Sequence, residues 1–120
     1  MNILLVEDEL FIRMDLQQRL QALGAHVVAS TAKGLDAVQL AKEYAPEMIL
    51  MDIKLKGEMN GIEAANKISQ FLKCNIIFIS AYENEDLGLS LTDSDCKIGY
   101  FSKPLGDETL KAILKEYSSF

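Results

Sequence analysis

The amino-acid sequence predicts an α/β protein in which five parallel strands form one sheet and five helices cover both of its faces. Five short apolar runs alternate with segments whose apolar residues recur every three to four positions, the spacing of one helix face. Such alternation is typical of parallel sheets joined by right-handed crossovers. With 120 residues, 49% of them hydrophobic, the chain has the size of one domain, residues 1–120, with a substantial core.

The five apolar runs have no helical gaps and are short, as expected for strands that are buried on both faces. They are residues 2–6, 27–29, 48–51, 76–79 and 98–101. The third run, 48–51, consists of four apolar residues and is followed directly by Asp52. This acid therefore lies at the carboxyl end of a strand, where open α/β sheets keep their ligand sites.

Each strand is followed by a predicted helix. Gly24 follows the first helix, as glycine commonly does just past a helix end, and the second helix stops before Pro46. The fourth helix, within 83–91, is the weakest because Gly88 interrupts it. The other four rest on these apolar stripes: Ile12, Leu16, Leu20 and Leu23; Leu35, Val38 and Ala41; Ala64, Ile68, Phe71 and Leu72; Leu110, Ile113, Leu114 and Tyr117.

Composition excludes several classes of function. The net charge of −6 argues against nucleic acid as a direct partner, and the apolar runs are far shorter than the roughly 20 residues that span a bilayer. The first residues lack a signal-peptide pattern, so we expect a cytoplasmic location and no membrane partner. Cys74 and Cys96 lack CxxC spacing and His26 is the single histidine, so we expect reduced thiols rather than a zinc site.

The carboxyl ends of parallel strands meet at one edge of the sheet, so polar residues that are distant in sequence should meet there. These residues are Glu7 and Asp8, Asp52, Ser80, and Lys103. Clustered carboxylates without histidine or cysteine suit Mg²⁺. A carboxylate can act as nucleophile and form an acyl phosphate, while a lysine and a hydroxyl contact the phosphoryl oxygens.

Each of these residues has an ordinary structural explanation when it is taken alone. An acid at a strand end is usually a turn or cap residue, and Glu7–Glu9 could simply complement a helix dipole. A serine after a strand is usually a cap, and Lys103-Pro104 is a common surface turn. The joint occurrence of acids, hydroxyl and lysine in four separate strand–helix turns favours a functional site.

At this point the sequence resembles the receiver domain of two-component response regulators, over essentially the whole chain. Five segments carry the resemblance, in order: Leu-Val-Glu-Asp-Glu (5–9), Met-Asp-Ile-Lys-Leu (51–55), Gly-Ile-Glu-Ala-Ala (61–65), Ile-Ser-Ala-Tyr (79–82) and Gly-Tyr-Phe-Ser-Lys-Pro (99–104). The resemblance implies a doubly wound, flavodoxin-like sheet with strand order 2-1-3-4-5, an order for which a chemotaxis receiver is a standard example.

The resemblance also implies an active site that binds Mg²⁺. By position, Asp52 matches the phosphoacceptor and Asp8 a direct Mg²⁺ ligand. Glu7 matches a ligand that acts through water, and the backbone carbonyl of Lys54 matches a further ligand. The implied phosphodonor is a sensor histidine kinase or a histidine phosphotransfer protein.

The resemblance further implies a switch that passes the signal to a downstream effector or output domain. Ser80 matches the switch hydroxyl, Tyr100 the switch aromatic and Lys103 the active-site lysine, with Pro104 after it, often across a cis bond. Such a domain catalyses only its own phosphorylation and dephosphorylation. We also consider a weak homodimer that depends on phosphorylation and uses the last helix.

The sequence departs from the common receiver pattern in four places. Glu7 replaces the more usual Asp, Lys56 replaces a proline, and the loop 54–60 is one residue longer, with Asn60 in place of an Asp. The segment 90–98 lacks the usual Ala-rich helix, which affects the expected output face. Whether the receiver stands alone or is part of a longer regulator or hybrid kinase stays open at this point.

Two other functions compete with a phosphorylated receiver. A pseudo-receiver would use the same fold as a protein-binding module that works without phosphorylation, but such domains typically lose the acids or the lysine that this chain retains. A Mg²⁺-dependent phosphatase with an Asp nucleophile would carry a second Asp at the position of Lys54.

Overall fold

The computed structural model describes residues 1–81 and 96–117 and contains one parallel sheet. Its strands lie in the order β2-β1-β3-β4-β5, which confirms the predicted topology. The strand bounds are β1 Asn2–Val6, β2 His26–Thr31, β3 Met48–Asp52, β4 Asn75–Ser80 and β5 Ile98–Ser102. The second strand is longer than the predicted 27–29 because its pairing with β1 continues up to Thr31.

Four helices lie within the described residues and connect or follow the strands. They are α1 Leu10–Ala22, α2 Gly34–Tyr44, α3 Gly61–Ser69 and α4 Asp107–Glu116. The predicted helix within 83–91 lies outside the described residues, as does most of the atypical segment 90–98. The longest described helix has 13 residues, so none of the helices in this part of the chain has the length and apolar character needed to cross a bilayer.

The sheet separates two apolar cores, as a doubly wound fold requires. One core joins Phe78 and Met51 of the sheet to Ala37 in α2 and Ile68 in α3. The other joins Leu5, Leu50 and Ile77 to buried residues of α1 and α4. The central strands β3 and β4 are buried along their whole length, which explains why their sequences lack a polar face.

The prediction that Leu35 and Phe71 belong to the core is wrong. Leu35 is 50% exposed because α2 turns the small side chains of Ala37 and Ala41 toward the sheet instead. Phe71 is 43% exposed because α3 ends at Ser69, two residues before it. Its ring lies below the ammonium of Lys42, 5.4 Å from the ring centroid, on the surface of the molecule.

Candidate functional site

The strand register brings the predicted site residues to the same edge of the sheet. Asp52 is the last residue of β3 and pairs with Ile79, and Ser80 is the last residue of β4. Ser80 pairs with Ser102 of β5, which directly precedes Lys103. Glu7 follows β1 and donates its backbone N–H to Thr31 O at 3.0 Å. Four strand ends therefore supply one site, as the sequence predicts.

The ammonium of Lys103 lies between two buried carboxylates. Its Nζ donates to Asp52 Oδ2 at 3.0 Å and lies 2.5 Å from Glu7 Oε1. The backbone N–H of Lys103 donates to Ser80 O at 2.7 Å, and the Lys103–Pro104 peptide bond is cis. The hydrogen bond to Ser80 O ties the end of β5 to β4, and Lys103 lies beside the two acids.

Backbone groups hold the remaining carboxylate oxygens in place. The N–H of Lys54 donates to Asp52 Oδ1 at 3.2 Å, and the N–H of Glu9 donates to Glu7 Oε2 at 3.1 Å. Arg13 of α1 donates from Nη1 to the Glu7 carbonyl oxygen at 2.8 Å. The sequence alone did not indicate this role of Arg13, because it depends on how α1 folds back toward the end of β1.

The loop after β3 is closed by Gly61, whose role is not evident from the sequence pattern alone. Gly61 donates its N–H to Ile53 O at 2.9 Å, and a Cβ at this position would lie 2.0 Å from Asp52 O. No side chain fits that space, so the start of α3 approaches the phosphoacceptor candidate directly. Asn60 and Glu63 form a capping box, with hydrogen bonds of 2.9 and 3.1 Å, that fixes the beginning of this helix.

The acidic residues of the site fit a hard divalent cation. Carboxylate oxygens of Glu7, Asp8 and Asp52 lie within 4.8 Å of one another. Glu7 is fully buried, and the ammonium of Lys103 is the cation that its Oε1 contacts within the described residues. A donor set made only of oxygen atoms is the one that Mg²⁺ prefers. Asp8, Asp52 and Lys54 also line a cleft of about 200 Å³, together with Glu9, Ala81 and Lys103.

Burial and charge determine the pKa values of the three central groups. Burial raises the pKa of Asp52 to about 7, against the opposing effect of Lys103 and with a further increase from the Glu7 charge. Burial also raises the pKa of Glu7, but Lys103 and the Glu9 N–H outweigh it, so the net pKa is lowered. For Lys103, burial lowers the pKa, and the two carboxylates more than reverse this and hold it above its usual value.

The two predicted switch residues lie on neighbouring strands and on the same face of the sheet. Tyr100 is half-buried, pairs with Phe78 and packs against the same core as that residue. Ser80 follows Phe78 by two positions, so its side chain points to the same face, and it is only 1% exposed. The structure thus brings these residues close to each other, at the strand end that leads to Lys103.

Comparisons with known proteins agree with this geometry. The model of the response regulator receiver domain family matches residues 3–115. The chemotaxis protein CheY of Bacillus subtilis is 35% identical over 116 residues, which cover 95% of each chain. The transcriptional regulatory protein PdtaR of Mycobacterium tuberculosis is 33% identical over 120 residues, 99% of this chain but only 58% of that protein.

A solved structure supports the same assignment. The response regulator domain of CheB from Thermotoga maritima superposes with a TM-score of 0.81 at 26% identity, over 98% of this chain and 93% of that chain. The family match spans nearly the whole chain, and both the strand order and the acidic edge agree with it. The chain therefore belongs to the receiver domains of two-component response regulators.

Proposed function

We propose that this receiver domain takes a phosphoryl group onto Asp52 from a phosphohistidine of a sensor histidine kinase or a histidine phosphotransfer protein. One observation carries the proposal: Lys103 Nζ contacts both Asp52, at 3.0 Å, and Glu7, at 2.5 Å, at an edge where three carboxylates converge. Burying such a cluster costs free energy, and a function that needs these charges explains why the protein keeps them. Transfer of a phosphoryl group is the chemistry that fits these residues best.

Asp52 is the nucleophile in this proposal. Its carboxylate is 4% exposed yet borders the cleft, and both of its oxygens are held, by Lys103 Nζ and by the Lys54 N–H. These contacts orient the carboxylate before the donor arrives. One oxygen attacks phosphorus in line with the bond to the histidine nitrogen, and that nitrogen leaves with the bonding electron pair. Lys103 then pairs with an oxygen of the transferred group as a point charge.

The cation that we propose for the site is Mg²⁺. Asp8, Asp52 and the carbonyl oxygen of Lys54 would hold it directly, and Glu7 would hold it through water. When bound, it would neutralise the charge on the phosphoryl oxygens. Glu7 is fully buried and offers a carboxylate oxygen within 4.8 Å of oxygens of Asp8 and Asp52, which supports a role for Glu7 in holding such an ion or its water shell. The same site would let water attack the phosphoryl group and restore Asp52, so the domain catalyses only its own phosphorylation and dephosphorylation.

Ser80 and Tyr100 form the proposed switch to an effector or output domain. After phosphorylation, the Ser80 hydroxyl would donate to a phosphoryl oxygen, and Tyr100 would turn into the space beside it. Moving an equilibrium from 1:99 to 99:1 takes about 5.5 kcal/mol, whereas one charge-assisted hydrogen bond contributes about 1.5–3 kcal/mol. Ser80 is thus insufficient alone, and the contacts of Lys103 must contribute to the switch.

The test is an incubation of the protein with a small-molecule phosphodonor, with and without Mg²⁺, followed by intact-mass measurement. We expect one addition of about 80 Da that requires Mg²⁺ and is absent in Asp52→Asn. Asp36→Asn, which changes an exposed acid of α2, is the matched control and should be modified normally. Absence of any addition to the wild-type protein would contradict the proposal and favour a binding module that works without phosphorylation.

Ser80→Ala tests the switch separately from the chemistry. The variant should take up phosphoryl groups in the normal amount, because it retains both the Asp52 nucleophile and the Lys103 ammonium that contacts it. The change in tyrosine fluorescence or in amide exchange of β5 on phosphorylation should be reduced. If Ser80→Ala lost phosphoryl uptake altogether, the role assigned to this hydroxyl would be wrong.

A further inference from the structure

Two cysteines lie just before neighbouring strands, Cys74 one residue before β4 and Cys96 two residues before β5. These strands pair in parallel with Ile76 opposite Ile98, so the positions two residues earlier, Cys74 and Cys96, also correspond. The hydrogen bond from Ile76 N to Lys97 O, 2.9 Å long, extends the pairing to the residue that follows Cys96. The two cysteines are 22 positions apart in sequence, and the register of β4 and β5, continued by two residues, places them side by side.

The side chains of both cysteines lie on the same face of the sheet. Residues two positions apart in a strand share a face, and Cys74 belongs to the same core as Ile76 and Phe78. Cys96 packs against that core together with Ile98 and Tyr100. The Cys96 sulfur lies 3.5 Å from Leu72 O, in the turn that leads into Cys74. The two thiols therefore point into a shared space.

The spacing of adjacent strands suits a disulfide. Neighbouring strands lie about 4.8 Å apart, and disulfides join residues whose Cα atoms are about 4.4–6.8 Å apart. Both cysteines are thiols in this structure. Burial and the neighbouring Cys96 sulfur raise the pKa of Cys74, so this thiol is kept protonated and unreactive on its own. Cys96 is partly exposed and is the side chain that an oxidant reaches first.

We propose that Cys74 and Cys96 form a redox-sensitive pair, which a low-molecular-weight disulfide such as glutathione disulfide converts into an internal disulfide between β4 and β5. This inference does not depend on the phosphoryl chemistry at Asp52, which lies at the opposite edge of the sheet.

The reaction is two successive thiol–disulfide exchanges. The Cys96 thiolate attacks one sulfur of glutathione disulfide, forms a mixed disulfide and releases one glutathione thiolate. The Cys74 sulfur then attacks the Cys96 sulfur, its proton passes to the departing glutathione sulfur, and the second glutathione leaves as a thiol. Two protein thiols are oxidised by two electrons, and one glutathione disulfide is reduced to two glutathione molecules.

The disulfide would clamp the two strands that supply the proposed switch. It would close a loop of about 20 residues, which includes the segment 82–95 and both Ser80 and Ala81, and such a closure restricts the unfolded chain. Tyr100 lies farther along β5 from the clamped end, and Lys103 directly follows that strand. Oxidation should therefore stabilise the pairing of β4 with β5 without adding any group to the site.

The experiment exposes the full chain to glutathione disulfide and measures the intact mass without reductant. We expect a loss of about 2 Da, reversed by dithiothreitol, with peptide mapping that links Cys74 to Cys96. Cys96→Ser should show no such loss, and Cys74→Ser should stop at the mixed disulfide with glutathione. Because Cys74 is fully buried and its replacement could impair folding, the mapping on the wild-type protein decides the question.

Thermal unfolding of the oxidised and reduced wild-type protein completes the test. We expect the oxidised form to unfold several degrees higher, with no change for Cys96→Ser under the same treatment. A stable mixed disulfide, a disulfide-linked dimer or an unchanged mass in the wild-type protein would overturn the proposal. An oxidised form that unfolds at or below the temperature of the reduced form would contradict the claim that the disulfide stabilises the pairing of β4 with β5.

Discussion

The two edges of the sheet treat buried polar groups in opposite ways. At the carboxyl edge, Glu7 and Asp52 are 0% and 4% exposed and share one lysine, so two negative charges face a single positive charge. At the amino edge, the buried polar side chain is the uncharged Asn75, 1% exposed, whose Nδ2 donates to Tyr117 O at 2.7 Å. One edge leaves charge only partly compensated, and the other matches a neutral donor to a backbone acceptor.

Other contacts at the amino edge hold neighbouring elements of the fold together. Lys97 Nζ donates to Glu116 O at 3.1 Å and lies 5.0 Å from the Tyr117 ring centroid, so the end of α4 is fastened beside β5. Asn2 N donates to Glu47 Oε1 at 3.2 Å at the surface. The difference is one of charge: the buried polar side chain at the amino edge is neutral, whereas the carboxyl edge buries two acids against one lysine. The incomplete charge compensation at the carboxyl edge therefore points to a requirement of function.

The largest effect should come from Gly61→Ala, because the new methyl group would lie 2.0 Å from Asp52 O and must displace backbone. We expect the free energy of unfolding to fall by about 3 kcal/mol, with reduced phosphoryl uptake. Gly106→Ala is the control, since a Cβ there meets nothing within 4 Å, and it should change stability by less than about 0.5 kcal/mol. Urea unfolding measures both, and equal effects would show that the close approach at Gly61 is unimportant.

Lys103→Ala breaks the charge arrangement of the carboxyl edge and should have the next largest effect. Without Mg²⁺, it leaves Glu7 and Asp52 without their cation and should cost about 2–3 kcal/mol, less than for a fully buried pair because the lysine side chain is 18% exposed. Phosphoryl uptake should also slow. Lys111→Ala removes an exposed ion pair with Glu108 and should be nearly neutral. Urea unfolding measures the stability of both variants. Similar losses in the two would contradict the view that the buried contacts of Lys103 matter more than the exposed ion pair of Lys111.

The pH dependence of stability should expose the uncompensated charge of Asp52 when Mg²⁺ is chelated. Between its ordinary pKa of 3.8 and its folded pKa of about 7, the folded protein binds more protons than the unfolded chain. The free energy of unfolding should therefore fall as pH rises, on the order of 2 kcal/mol between pH 5 and 7.

The control for this pH dependence is Asp52→Asn, which should remove the fall and stabilise the protein at pH 7. Glu7 has a lowered pKa, so its contribution is present above its ordinary value of 4.5 and is lost only at lower pH. Urea unfolding at a series of pH values separates the two groups. A stability that rises between pH 5 and 7 would contradict the assignment to Asp52.

Asn75→Ala should give the smallest effect and should confine it to stability. The loss of the buried hydrogen bond to Tyr117 O should lower the free energy of unfolding by about 1 kcal/mol. The rate and amount of phosphoryl uptake should stay unchanged, because the residue lies at the opposite end of β4 from Ser80. A loss of uptake at unchanged stability would mean that the two edges are coupled.

Much of the fold and of the site could be predicted from sequence because both follow from strand ends. Uninterrupted apolar runs such as 48–51 mark central strands, and in a parallel sheet the residues after those runs must meet at one edge. The convergence of Glu7, Asp52, Ser80 and Lys103 required no further information. The strand order needed the family resemblance, since apolar runs do not specify which strands are neighbours.

The wrong predictions of core residues arose because burial depends on how each helix packs, which the local sequence pattern does not specify. Leu35 and Phe71 match a helical stripe, but the rotation of α2 and the end of α3 at Ser69 leave both side chains partly exposed. Cys74 and Cys96 are far apart in sequence, whereas the register of β4 and β5, continued by two residues, brings them side by side. These outcomes depend on how elements pack, which apolar periodicity does not encode.

The amino-acid sequence by itself determined that this chain forms a parallel α/β sheet with acids, a hydroxyl and a lysine at one edge, because strand length, burial and strand direction are written in local patterns. Only the tertiary structure decided that Lys103 bridges Glu7 and Asp52, that Gly61 approaches the Asp52 backbone, and that the two cysteines face each other. Each of these depends on distances between residues far apart in the chain. Such distances are set by register and by close packing of the whole molecule.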